Sequence, residues 1–431
     1  MPRLIDLVLS AVVLGCGAAL LAPLAALLRA TRRGGPRRIV YLGTGRIAQV
    51  FPRNGVNLFL QRECSDFDGY FEQIWNVHFP AGGRGSLDLT PRHHLIDFDL
   101  PLRPLAGEWQ RTATALREVA FLLWLVPFVW RTQASIVTAT NPYLQGLNAA
   151  IVAGLLDLPY AVIVTRDYDW DWQVLRKQAF ASVFPSRRIE RAIGRWVLRH
   201  ARLVLADREY YRRFALRNGA VPERTIVTRV LADRAYADAR PRPALPTRLG
   251  LGSGPLLMYV GRLDADKFVL DLIDCLALVR KRFPAATLVC AGTGSLAAEM
   301  HRRACDRGVG DGLRLLGPVD LQDLPDLIAS SSVVVAPHMG YTLVEAGLTG
   351  VPVVTYDFDF HGEIIENGIS GYLAPLRDVR ALAECVSRVL ADPGHGAALG
   401  ARLRERLMRD HSLEAVVPLY QRAYDLALSN A

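Results

Sequence analysis

Residues 333–356, VVVAPHMGYTLVEAGLTGVPVVTY, leave a folding chain few options. Val333, Val334 and Val335 form a β-branched run stopped by Pro337, and Gly340 opens a turn. Residues 341–349 have the length of a short helix, Gly350 stands where a helix C-cap is wanted, and residues 351–355 resume strand character. A strand feeding straight into a helix leaves the amides near Gly340, Tyr341, Thr342 and Leu343 without intrahelical partners, and such an end attracts phosphate. Glu345 sits one turn further in, where a carboxylate can accept hydrogen bonds from a sugar diol. An ordinary strand–helix–strand unit with a favourable first-turn carboxylate has the same pattern.

The same plan runs through the whole second half. LLMYVGRLDADK (residues 256–267) is a strand ending at Gly261 and a loop, followed by a helix, the strand ATLVCAG, the turn GTGS (residues 292–295), another helix, the strand LRLLG and a helix over 321–330. Strands alternating with helices predict a parallel sheet covered on both faces. Arg262 and Lys267 lie on one loop at the carboxyl edge of that sheet, where two cations can neutralise a diphosphate. Lys267 is one of three lysines, with Lys177 and Lys281, in a chain whose other basic residues are arginine, so it stands out against that bias.

At 431 residues and 51% hydrophobic, the chain exceeds one ordinary core, and two domains are expected. Pro241, Pro243, Pro246 and Pro255, interleaved with glycines, place a linker at 234–255. The domain assignment is therefore an anchor and basic flank at 1–35, a first α/β domain at 36–233, a second at 256–410 and a closing helix at 411–431. Six cysteines (16, 64, 275, 290, 305 and 385) show no metal-ligand spacing and are expected as buried free thiols. A net charge of +9 permits an anionic partner without choosing one, and no nucleic-acid-binding module supports nucleic acid as that partner.

Residues 4–28 are nearly continuous in Leu, Ala, Val and Gly, about 25 residues or roughly 37 Å as a helix, enough to span a bilayer. Arg29, Arg32, Arg33, Arg37 and Arg38 follow, against Arg3 alone before it, so the positive-inside rule predicts a single-pass anchor in the plasma (inner) membrane with the globular part cytoplasmic. A second apolar concentration at 115–130, interrupted by Arg117 and Glu118, is too short to span and is expected as a core or interfacial helix.

In the first domain, RIVYLGTGRIAQ (residues 38–49) is a strand and a glycine turn, with Gly43 and Gly45 as donor-side candidates. Strands are expected near 73–79 and 95–99, and His93-His94 as a solvated or packing pair. The loop NPYLQG follows a strand and offers Asn141 and Tyr143, and RDYDWDW follows the next strand with Arg166, Asp167, Tyr168 and Asp169. Carboxylates alternating with aromatics suit sugar stacking and hydroxyl recognition, and they equally suit a polar loop anchored by its rings. The Asp-x-Asp spacing at Asp167/Asp169 recurs at Asp264/Asp266 and Asp357/Asp359, so it does not single out a metal site. Residues 176–217 are expected as a long helical stretch carrying Arg187, Arg188, Arg191, Arg195, Arg199 and Arg202, either solvated or lying on anionic lipid.

GRLDADK, AGTGS, LLGPV, TLVEAGLTGVPVV and GEIIENGISGYL together resemble the donor domain of retaining nucleotide-sugar glycosyltransferases of family 4. The likeness covers about residues 256–390 closely and the first half more loosely. It implies the GT-B architecture, two Rossmann-like domains facing across a cleft, here preceded by one transmembrane helix. It also implies that Arg262 and Lys267 hold the donor diphosphate, Glu345 the ribose and the amides after Gly340 the phosphate, with Gly261 on the same loop and Gly292, Gly294 and Gly317 at the base pocket. The family works without a metal or other cofactor. Two positions depart from its pattern: Pro337 replaces the first glutamate of its E-x7-E motif, and Arg166 stands where a histidine is usual. His338 is placed to occupy the space of the lost glutamate. The function implied is transfer of a sugar from a nucleoside diphosphate sugar to a lipid-linked acceptor, a polyprenyl-linked glycan or glycolipid. The alternative is a degenerate nucleotide-sugar-binding subunit of a glycan-assembly complex.

Overall fold

The computed structural model describes residues 2–31, 35–44, 67–80, 84–98, 110–242, 250–251 and 253–429, with the side chains of 2–15 and 175 excluded. Gly45, Cys64, Arg32 and Arg33 lie outside the described residues. The chain divides into two compact units, 1–229 with 417–431 and 230–416.

Unit 1 runs α1 (Pro2–Ala30), β1 (Arg38–Gly43), β2 (Gln73–His78), β3 (Gly85–Thr90), β4 (His93–Asp97), α2 (Gln110–Thr132), β5 (Ile136–Ala139), α3 (Leu144–Leu156), β6 (Tyr160–Val164), α4 (Tyr168–Leu175), α5 (Arg187–His200), β7 (Leu203–Ala206), α6 (Glu209–Arg217) and β8 (Thr225–Val227). Among the described residues these strands form one sheet in the order β3-β4-β2-β1-β5-β6-β7-β8. It is parallel except for the β3–β4 pair at its edge. Unit 2 runs α7 (Arg234–Ala237), β9 (Leu256–Val260), α8 (Val269–Val279), β10 (Thr287–Ala291), α9 (Ala297–Asp306), β11 (Leu313–Gly317), α10 (Leu324–Ala329), β12 (Val333–Val335), α11 (Thr342–Leu348), β13 (Val353–Asp357), α12 (His361–Ile364), β14 (Tyr372–Pro375), α13 (Val379–Ala391) and α14 (Pro393–His411). The last helix, α15 (Leu413–Leu428), belongs to unit 1 from Val417 onward.

In unit 2 the sheet order is β11-β10-β9-β12-β13-β14, every pair parallel. Its inner strands are buried on both faces, which is why LLMYV, TLVCA and VVV read as unbroken apolar runs. The chain reverses its direction of travel between β9 and β12, and the crevice at the carboxyl ends of two such strands is where sheets of this order hold ligands. The loops after β9 and β12 carry Arg262 to Lys267 and His338 to Tyr341.

Unit 1 closes one face of its sheet with α15. Tyr424 is fully buried among Ile39, Tyr41, Phe67, Phe71 and Ile74, with its hydroxyl 3.1 Å from that of Tyr41 and its ring edge-on to Phe71. Phe67 stacks on Tyr420 at 4.4 Å between centroids.

Three expectations need correction. The stretch 176–217 is not one helix: α5 and α6 are separated by β7, because LVLA is an apolar run that pairs between β6 and β8. The apolar concentration near 115–130 extends to 23 residues as α2, so by length and composition it is not too short to cross a membrane, while the expected core role stands, with Phe121, Leu122, Leu125, Val126 and Val129 buried. The described cysteines are free, but only Cys275 and Cys290 are buried, while Cys16 and Cys305 are exposed.

Candidate active site

The loop after β9 is built around carboxylates. Arg262 donates to Asp264 and, at 2.6 Å, to Asp266. Asp264 also accepts from the amide and hydroxyl of Ser295, each at 2.9 Å, and these bonds hold its carboxyl below the usual range. The turn GTGS is thus tied to the Arg262 loop at both ends, since the Leu263 amide donates to Thr293 and the Leu296 amide to Leu263. This packing explains two of the glycines. A Cβ on Gly292 would stand 1.9 Å from the Gly261 carbonyl oxygen, and one on Gly294 would stand 2.4 Å from Leu263 backbone. Both positions bring backbone against backbone, and Gly292 also has φ +146°. Gly317 accepts the Gly292 amide at 2.8 Å. Lys267 ends the same loop in a short 3-10 turn and is half-buried.

His338 joins this loop to the other strands. Its Nδ1–H donates to the Asp266 carbonyl at 2.7 Å, and Nε2 lies 3.4 Å from Oδ2 of Asp359. Phe268 and Phe358 pack on the ring, which is nearly buried. Arg262, Asp266, His338 and Asp359 therefore form one continuous polar chain across the ends of β9, β12 and β13. Asp359 has φ +57°, a left-handed conformation that Asp tolerates better than bulkier side chains.

His361 supports the loop from below. It is fully buried, and burial pushes its pKa down to about 4, so the ring is neutral. The Thr355 hydroxyl donates to the Ala336 carbonyl, so Thr355 Oγ1 and the Tyr356 carbonyl are acceptors for His361 Nδ1–H, each at 2.9 Å. That leaves Nε2 to accept the Met339 amide at 3.2 Å. The tautomer follows from the partners.

The start of α11 differs in detail from the expectation. The Leu343 amide is not available, because it donates to the Gly340 carbonyl at 3.1 Å, and Val344 and Glu345 donate to Tyr341. Gly340 faces open space, since a Cβ there would meet nothing within 4 Å. Tyr341 is exposed, Thr342 begins the helix, and Glu345 is nearly buried within it.

In unit 1 the candidate residues are bound into the scaffold. Asn141 donates to Gln145 at 3.0 Å and accepts the Tyr143 amide. The Tyr143 hydroxyl accepts from Arg187 at 3.0 Å, and its ring meets that of Tyr168 edge-on. Asp167 caps α4 through the amides of Asp169 and Trp170 and pairs with Arg217 at 2.8 Å; burial raises its pKa against these bonds. Asp169 pairs with Arg187 and accepts from Asn218, while Arg166 pairs with Asp171 at 2.7 Å. The structure thus gives each carboxylate of this run a structural partner. His93 and His94 pack within their sheet edge, bonded to Thr90 and to Asp88 and Gln73. Gly43 accepts the Phe79 amide at 3.0 Å.

Sequence reasoning passed over Asp264, Asp266 and Asp359, whose only signal was an Asp-x-Asp spacing too common to mark them, and missed His361, which no motif marks.

Residues 254–392 match the family model described as Glycosyl transferases group 1. The chain is a glycosyltransferase of hexosyltransferase type. The α-D-kanosaminyltransferase of Streptomyces kanamyceticus is 26% identical over 345 residues, covering 75% of this chain and 81% of that protein. A Mycobacterium tuberculosis glycogen synthase is 32% identical over 177 residues, 40% of this chain and 43% of its own length. A GDP-mannose-dependent α-(1-6)-phosphatidylinositol monomannoside mannosyltransferase of the same species is 29% identical over 184 residues, 40% and 48% of the two chains. Among solved structures, HepE of Anabaena in complex with UDP superposes with TM-score 0.68 at 18% identity over 91% of this chain and all of that one. Sucrose-phosphate synthase of Thermosynechococcus elongatus gives TM-score 0.73 at 17% identity over 92% of this chain and all of that one. These likenesses show a two-domain α/β fold of GT-B type for this glycosyltransferase.

Proposed function

We propose that this glycosyltransferase is a membrane-anchored member of family 4 that moves a sugar, with retention of anomeric configuration, from a nucleoside diphosphate sugar to a lipid-linked acceptor on the cytoplasmic face. The observation that carries the donor reading is the convergence of Arg262, Lys267 and the open space before Gly340 at the β9–β12 crevice. In the free protein Arg262 is held by Asp264 and Asp266, and a bound diphosphate would share or take over that guanidinium. Arg262 and Lys267 would stabilise the diphosphate as the glycosidic bond breaks, and the acceptor hydroxyl would attack from the face the diphosphate leaves, passing its proton to a phosphate oxygen. Glu345 is assigned to the ribose, His338 to the side of the donor sugar, and Gly292, Gly294 and Gly317 to the base side. Asn141, Tyr143 and the loop from Arg166 to Asp169 are assigned to the acceptor side as scaffold rather than as free ligands. No metal is assigned a role.

The base is left open between UDP and GDP: HepE was solved with UDP, and the mannosyltransferase is GDP-mannose-dependent. The same mannosyltransferase, named for a phosphatidylinositol substrate, supports a lipid acceptor, as does the 29-residue helix α1 followed by arginines as the anchor. A screen of UDP- and GDP-sugars with membrane lipid extract tests the reading. Lys267→Ala should lower the transfer rate about 10²-fold or more while the protein stays folded. An unchanged rate would remove Lys267 from the site, and donor binding by calorimetry without product from any acceptor would leave a binding subunit instead.

A further inference from the structure

We propose that the outer face of α5, formed by Arg188, Arg195, Arg199, Ile189 and Trp196, rests on an anionic phospholipid surface. The proposal deepens the membrane part of the reading above by assigning lipid contact to a second element besides α1. Spacings of seven and four residues put Arg188, Arg195 and Arg199 in one stripe along the helix, and Ile189 and Trp196, seven apart, in the stripe beside it. All five are exposed; Trp196 is 49% and Ile189 44% accessible, unusual for large apolar side chains on a helix with a well-formed buried face.

The inward face is complete without them. Glu190, Gly194, Val197 and Leu198 are buried there, and Arg187 spends its guanidinium on Glu190 at 2.7 Å and Asp169 at 2.9 Å. Glu190 is the only acid on the helix and points inward, so the outer face carries one sign of charge. Among the described residues none of Arg188, Arg195 and Arg199 takes part in an ion pair, whereas Arg191 reaches Asp169. An arginine stripe beside an indole fits the headgroup layer of a bilayer, where the cation meets phosphate and the ring lies at the apolar boundary.

The neighbours of α5 point the same way. It packs closely on α3, Val197 lying over Gly146, where a Cβ would stand 2.7 Å from the valine. α3 is also packed by α1, whose Arg29 donates to the carbonyls of Gly154 and Leu155 at the α3 C-terminus. Leu20 and Leu27 of α1 are largely exposed. The helix assigned as anchor and the basic face of α5 therefore share one neighbour in one unit.

The test uses the full chain in vesicles containing brominated phosphatidylcholine, with and without phosphatidylglycerol. Subtracting the Trp196→Phe signal isolates the quenching of Trp196 from that of the other tryptophans. The expected result is quenching that requires the anionic lipid, survives Arg→Lys at 188, 195 and 199, and falls to the Trp196→Phe level on Arg→Glu at the same three positions. Equal quenching in wild type and Trp196→Phe would overturn the proposal, as would quenching indifferent to the three charge reversals. A carbonate wash separates this from the anchor reading. If the chain stays embedded while Trp196 is unquenched, the docking face fails and the anchor stands; if carbonate releases the chain while anionic quenching of Trp196 persists, the anchor fails and the docking face stands.

Discussion

The imidazole of His361 shows how much a single fully buried ring can control. Its unfolded pKa lies near 6.5 and its folded value near 4, so between these limits the unfolded chain binds a proton that the folded chain excludes. Stability therefore falls as pH drops from about 6.5 to about 4 and levels off below, a loss on the order of 3 kcal/mol. Thermal unfolding of wild type and His361→Gln across pH 7 to 4 measures this as a difference. The variant should be less stable at pH 7 by about 1–3 kcal/mol, having lost the fit to Met339 and Tyr356, and should show a shallower decline with acid. Parallel pH curves for the two proteins would mean that the buried ring does not titrate as described. Because Nε2 receives the Met339 amide next to Gly340, the same variant should also weaken donor binding, a consequence of loop position rather than of contact with the donor.

Among turns and loops, two glycines at the carboxyl edge of the unit 2 sheet, one beyond β10 and one beyond β12, make opposite predictions. Gly292→Ala would drive a methyl into the Gly261 carbonyl in a backbone region that disfavours side chains, and unit 2 should lose several kcal/mol of stability or fail to fold. Gly340→Ala meets open space at an ordinary φ, so thermal stability should change by less than about 1 kcal/mol, while donor affinity measured by calorimetry drops if the diphosphate occupies that space. A Gly340→Ala protein that binds donor as wild type does would move the phosphate site away from α11. These glycines also show the reach of a sequence reading. The strand–turn–helix pattern of AGTGS was legible from alternation alone, but that Gly292 and Gly294 press on residues 261–263, besides any part in a base pocket, depends on which loop β10 brings beside β9.

For the molecule as a whole, the return of the chain end to unit 1 carries a prediction of its own. Deleting residues 417–431 uncovers Ile39, Phe67, Phe71 and Ile74 and removes the Tyr41–Tyr424 hydroxyl contact, so unit 1 should lose its cooperative unfolding transition and expose apolar surface to a hydrophobic dye. Unit 2 holds its own sheet and core, and its transition should remain in calorimetry. Loss of both transitions would show that the units do not fold independently.

The alternation of apolar strands, glycine turns and helices determined the α/β class and the parallel sheet of the second half, because fully buried parallel strands must be apolar throughout and their crossovers must be helical. It also brought Arg262, Lys267 and Glu345 forward, the two cations on the loop after β9 and the carboxylate in the first turn of the helix after β12. Period and spacing act over a few residues. They carried no information on partners that meet through strand order, so the chain from Arg262 through Asp266 and His338 to Asp359, the buried support from His361 and the division of residues 176–217 by β7 appeared only with the folded sheets. The fate of the RDYDWD carboxylates belongs with these. A loop of acids and rings looks alike whether its carboxylates await a sugar or are already bonded; Arg166 claims Asp171 from within the loop, but Arg187 and Arg217, which claim Asp169 and Asp167, stand 18 and 50 residues away in the chain.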